Sequence, residues 1–161
     1  MQPDNSFSSP QYINSWGAEL SLIKLFDVVD TAARSRNYNY RWSRQQAQQF
    51  IESILLGLPI PSIYIAIREN EKYIIDGYHR IKTVTDFISG TYSNDGSEFR
   101  LMNSNNMLDY WNNKTYSQIS DLDQNRIAST TVHLTIIELK NSSIISVDDL
   151  YKRINPSALD D

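Results

Sequence analysis

The sequence predicts a single α+β domain, a small mixed sheet with helices packed around it. Three observations lead there. The chain has 161 residues, the length of one domain. Its hydrophobic content of 40%, with 10 tyrosines and 3 tryptophans, can build a real core. Segments rich in β-branched residues alternate along the chain with segments whose apolar residues recur at helical spacing.

Residues 1–16 are polar and read as a flexible N-terminal arm, leaving 17–161 as the folded domain. A first helix fits Ser21 to about Thr31, because Leu22, Leu25, Phe26 and Val29 share one face. The stretch from Arg34 to Trp42 is irregular, aromatic and basic. Ser43 with Gln46 three residues on matches a capping box and starts a second helix. Phe50, Ile51, Ile54, Leu55 and Leu58 form its apolar face, and Gly57 can close it. Pro59-Ile60-Pro61 forces an extended path into a strand at Ile63–Ile67. A polar turn then leads to a partner strand from Lys72 to Asp76, so the pair reads as a hairpin. After Gly77 a helix carries Ile81, Val84, Phe87 and Ile88 inward, and Gly90 ends it. Residues 91–115 read as an irregular excursion with short elements. Ser120–Ser129 is weakly helical, Thr131–Leu139 is a strand by its Thr, Val and Ile content, and Ser146–Ile154 is a short final helix. Asp148 and Asp149 suit the positive end of that last helix.

Bulk properties narrow the function. A net charge of −4 and an isoelectric point near 5.1 argue against a broad surface for polyanions. The absence of cysteine removes disulfides, thiolate zinc sites and cysteine nucleophiles. Two histidines far apart, His79 and His133, argue against a histidine-based metal site, and no metal-ligating residues are assigned. No apolar run reaches membrane-spanning length and the N-terminus lacks the pattern of a signal peptide, so no membrane partner and a cytoplasmic location are expected.

The densest chemistry lies in Ile74-Ile75-Asp76-Gly77-Tyr78-His79-Arg80. A strand runs into a glycine turn and opens a helix. The glycine allows a tight turn and close approach of a ligand. The helix start offers unpaired N–H groups and a positive dipole end, which suits a phosphate. Asp76, His79 and Arg80 place an acid, a titratable base and a planar guanidinium within one turn.

In this order of segments the chain resembles the N-terminal domain family of GmrSD-type, modification-dependent restriction endonucleases, a family related to the ParB and sulfiredoxin-like fold. The likeness rests on Tyr40-Arg41-Trp42-Ser43, on Glu52 to Pro61 with its Leu-Gly-Leu-Pro-Ile-Pro phrase, on Asp76 to Arg80, and on Tyr151-Lys152-Arg153-Ile154-Asn155. It spans roughly residues 20–155. There are departures. The family signature usually carries two glutamines where this chain has Tyr78 and His79, and Gln-Arg where it has Asn37 and Tyr38; Arg36 or Arg41 then stands in for that arginine. Gly-x-His-Arg also looks like the phosphate turn of sulfiredoxin, but Tyr78 occupies the place of the catalytic cysteine, which excludes sulfinic-acid reduction by that chemistry. Family members that cut DNA usually carry a histidine-based nuclease domain further on, and none is expected in this chain.

The resemblance implies nucleoside triphosphate binding, with hydrolysis as its further expectation and Mg²⁺ accompanying the bound nucleotide. Asp76, His79 and Arg80 are then the catalytic candidates: Asp76 for metal, water or sugar, Arg80 for phosphate charge, His79 for proton transfer. Gly77, Tyr78, Lys82, Thr83, Arg36, Arg41, Arg153 and Asn155 are the candidate nucleotide-binding set. Each has a plainer reading beside it. Asp76 also fits a helix cap, and Arg80 or His79 an ion pair with Asp86 or Glu52. Lys82 fits a solvated helix face, and Trp42 with one tyrosine fits a loop anchor. Asn155-Pro156 fits a simple helix end, while His133 and Tyr110-Trp111 read as structural. The expected partner besides the nucleotide is DNA or a separate nuclease chain. The competing functions are a nucleic-acid-binding or nicking module and a catalytically inactive interaction or decoy protein.

Overall fold

Four strands form one mixed sheet in the order β1-β4-β2-β3 in a computed structural model that describes residues 12–33, 38–102 and 109–156. The strands are β1 Asn14–Ser21, β2 Ile63–Arg68, β3 Glu71–Asp76 and β4 Thr131–Glu138. The helices are α1 Leu22–Ala33, α2 Arg44–Leu56, α3 Tyr78–Ser89, α4 Asp121–Ser129 and α5 Val147–Ile154. β2 runs antiparallel to β3 and parallel to β4, and β1 closes the far side antiparallel to β4. The α+β expectation therefore holds, with helices on both faces of the sheet.

Strand alternation divides the sheet between two cores. Val132 and Leu134 of β4, Ile63 and Ile65 of β2 and Ile74 of β3 face the larger one. There they meet Leu22 and Leu25 of α1, Ile51, Ile54 and Leu55 of α2, Ile81, Val84 and Phe87 of α3, and Ile127 of α4. Ala66, Ile75 and Ile137 face the other way and pack against Leu150 of α5. No helix among the described residues is long and apolar enough to cross a membrane.

The local signals act as written. Ser43 accepts from the Gln46 N–H while the Gln46 side chain accepts from Ser43 N–H. Gly57 takes the left-handed conformation, its N–H donating to Ile54, and Leu58 N–H donates to Ser53. Ser146 caps α5 with the same reciprocal pair, made with Asp149, and Ser120 caps α4 by accepting from the Asp123 N–H. Among its described residues, the 91–115 excursion carries isolated bridges and a 3-10 turn at Asp109–Trp111, while 103–108 lie outside the described residues.

β1 is the correction. Asn14, Ser15 and Trp16 belong to the sheet rather than to an arm. Its Asn, Ser, Gly and Glu content opposes strand formation, and only the alternation of Trp16, Ala18 and Leu20 hints at it. The β4 ladder supplies the hydrogen bonds that local preference does not. The remaining arm residues 1–11 lie outside the described residues, as do Arg34, Arg36 and Asn37.

Candidate functional site

The Asp76–Arg80 turn begins at a bulge. Tyr64 pairs with Asp76 but the next pair is Ile65 with Ile74, so β3 carries one extra residue, Ile75. Such a bulge re-aims the side chain beside it, and here that side chain is Asp76. Gly77 follows with φ 105°, and a Cβ there would lie 2.7 Å from Ile63 Cγ1. Both the backbone angle and the space demand glycine. Gly77 is the N-cap of α3 and supplies no side-chain bond. The opening N–H groups of α3 therefore have no side-chain cap. Asp76 is not that cap.

Asp76 instead pairs with Arg80, whose guanidinium also donates to the carbonyls of Pro61 at 2.6 Å and Ser62 at 2.9 Å. Arg80 is only 12% exposed against 35% for Asp76. The arginine thus locks the Pro59-Ile60-Pro61 lead-in of β2 to the end of β3. Its expected alternative partners, Asp86 and Glu52, are elsewhere: Asp86 pairs with Lys82, and burial pushes the Glu52 carboxyl above its usual range.

His79 sits in an aromatic cage. Its ring stacks on Trp42 with centroids 5.8 Å apart and meets Tyr40 and Tyr78 edge-on. Nδ1 accepts from the Arg41 backbone N–H at 3.4 Å, which leaves the proton of the neutral ring on Nε2. Burial first, then the charges of Arg41 and Arg80, lower its pKa; Asp76 acts the other way. A neutral imidazole with Nε2–H as donor is the state at pH 7.

The segment from Tyr38 to Trp42 is strapped over this turn. Tyr38 stacks on Tyr78 at 4.6 Å and donates to the Ile74 carbonyl at 2.8 Å. Tyr40 shares a 2.6 Å hydrogen bond with Thr83, and burial raises its pKa to about 12. Tyr92 and Asn94 both donate to the Trp42 carbonyl. Burial likewise raises Tyr78.

Of the remaining sequence candidates, Lys82 is not a solvated helix face. It pairs with Asp86, which is 2% exposed and also accepts from the backbone and hydroxyl of Ser93. Thr83 is fully buried beneath Tyr40. Arg41 is exposed and contributes its backbone N–H and its charge to His79. Asn155 reaches the site's rear, its amide donating to Ile75 at 2.8 Å, next to Asp76. Arg153 is exposed on α5, where its charge acts on Asp149 of the same helix, and no hydrogen bond or ion pair joins it to the turn. Arg36 lies outside the described residues. Asp86 was legible as a partner of Lys82 through its four-residue helical spacing. The Pro61 and Ser62 carbonyls carry no sequence signal.

A turn of this kind, with a Leu-Gly-Leu-Pro-Ile-Pro lead-in tied to it by Arg80, is matched by one family model: GmrSD restriction endonuclease, N-terminal domain, over residues 38–158. The chain belongs to this family. The match begins at Tyr38, the first residue of the aromatic strap, and passes Asn155, so the matched stretch of this chain contains every element that builds the turn. No curated protein and no solved structure gives a match.

Proposed function

We propose that this GmrSD N-terminal domain binds a nucleoside triphosphate at the Asp76–Arg80 turn, in a restriction or phage-defence setting, and that binding outweighs turnover. The observation that carries the reading is the N-terminus of α3: a glycine cap without a side-chain bond, beside a neutral, caged histidine. Orphan N–H groups and the positive dipole end attract a phosphate there. His79 Nε2–H adds a directional donor. Arg80 acts through Asp76 and the β2 lead-in rather than as a free clamp, since three oxygens already hold it.

The donor set does not fit a resident metal. Asp76 is paired with Arg80, and no group of three His, Cys, Asp or Glu side chains converges among the described residues. Mg²⁺ would arrive with the nucleotide, coordinated mainly by phosphate and water. DNA or a nuclease component, on this polypeptide or another, is the proposed downstream partner.

Thermal melting with each of the four ribonucleoside triphosphates and Mg²⁺ tests this. At least one should raise the melting temperature, and His79→Ala should abolish the rise while circular dichroism shows a folded chain. No rise for any of the four sinks the proposal. A second reading, an interaction module without nucleotide, is favoured by Arg80 and Lys82 both being satisfied internally. It predicts the flat melting result.

A further inference from the structure

We propose a second binding site, on the far side of the β2 lead-in, that takes an acidic and apolar peptide segment of a partner protein. An open-sided notch of about 340 Å³ lies where the end of α2 meets the end of α4. Ile54, Leu58 and Ile60 give it apolar walls, and Arg126, Ser129 and Thr131 give it a polar rim. No acid is among its lining residues.

Charge selects the occupant. Arg126 donates one bond to the Leu55 carbonyl at 2.7 Å and has no ion pair among the described residues. A guanidinium presents five donors, so most of this fork is left for a carboxylate. Thr130, beside it, donates its hydroxyl inward to the Arg126 carbonyl at 2.7 Å. The chain as a whole carries −4, so an uncompensated cation beside the Ile54, Leu58 and Ile60 walls is a local exception to its charge.

Shape separates a peptide from a small molecule. Small-molecule pockets bury most of their ligand, which an open notch does not. Leu58, which lines the notch, is 51% exposed and keeps apolar surface open just beyond α2. A chain segment running across the notch covers Leu58 while its acid meets Arg126; a small acid at Arg126 leaves Leu58 in water. The walls are also set before any partner arrives. Arg126 holds the end of α2, the prolines restrict the lead-in, and Arg80 holds the Pro61 carbonyl. Preorganisation of this kind lowers the cost of binding.

The experiment uses the whole chain labelled with ¹⁵N and an acetylated, amidated peptide of sequence Gly-Asp-Leu-Phe-Glu-Gly. Amide shifts should cluster at Gly57, Leu58 and Arg126–Thr131. The twin peptide with Asn and Gln for its acids should bind about tenfold more weakly, the scale of one charge-assisted pair. Arg126→Gln should remove that difference. Because it also disturbs Leu55, Leu58→Asp serves as the second variant: it leaves the Arg126–Leu55 bond alone, repels the acid and should weaken binding by a similar factor. Equal binding of the two peptides, shifts centred on the Gly77 turn, no shifts at all, or 4-methylpentanoate binding as tightly as the peptide would each overturn the proposal.

Discussion

Gly77 shows how one position answers to two constraints. An alanine there must adopt φ 105° and move Ile63. Gly77→Ala is expected to cost about 1–3 kcal/mol in denaturant unfolding, the scale of a strained non-glycine residue. A loss below that range would mean that the turn relaxes freely. His79 gives a pH signature. Its folded pKa lies below the ordinary 6.5, so between those values the unfolded chain binds the extra proton. The stability it contributes is present above pH 6.5 and is lost as pH falls through the folded pKa. Unfolding midpoints measured down that window should drop, and His79→Phe should flatten the drop. Tyr40 works at the other end. Its pKa rises from 10.0 to about 12, so above pH 10 the unfolded state sheds its proton first. Stability should fall between pH 10 and 12, Tyr78 adding in the same direction. A Tyr40→Phe variant should show a shallower fall, read by the same unfolding series.

At the scale of elements, α3 is held at both ends. Gly77 and Arg80 fix its start to β2 and β3, and the Lys82–Asp86–Ser93 network fixes its end to the loop beyond. Asp86 is buried, so removing its cation leaves a charge with only Ser93 to compensate it. Lys82→Ala should cost roughly 1–3 kcal/mol, and Lys82→Ala with Asp86→Asn should recover part of it in a double-mutant cycle. Additive losses would show that the pair does not act as a unit. The strap from Tyr38 to Trp42 is a second kind of element, one without regular structure. Its order comes from ring stacking and from three hydroxyl or amide bonds to β3 and to the loop after α3. In the sequence its aromatics interleave with arginines, and Trp42 with one tyrosine reads there as the anchor. The structure uses Tyr38 and Tyr40 as anchors, because their hydroxyls meet a strand carbonyl and a buried threonine.

At the scale of the molecule, the two cores divide the labour. The larger core joins α1 to α4 to the sheet, and the smaller one docks α5 on the reverse face. Asn155 ties that last helix to the strand leading into Asp76. Asn155→Ala should therefore raise hydrogen exchange in α5 and at the Ile75 end of β3 while leaving α2 and α4 protected. Uniform loosening would mean that α5 is integral to the main core. The sequence by itself determined the caps, the hairpin, the glycine turn and the apolar face of α2 apart from Leu58, which lies beyond the Gly57 cap and is 51% exposed, because each rests on residues near one another in the chain; the family followed from the order of four such short phrases. Only the tertiary structure decided that Asn14–Ser21 is a strand, that Arg80 grips Pro61 and Ser62, that Lys82 and Thr83 turn to internal partners, and that Asn155 rather than Arg153 bonds the strand leading into the turn. Each of these depends on distant backbone carbonyls, a neighbouring ladder or a buried partner, and such acceptors are supplied by packing rather than by local spacing.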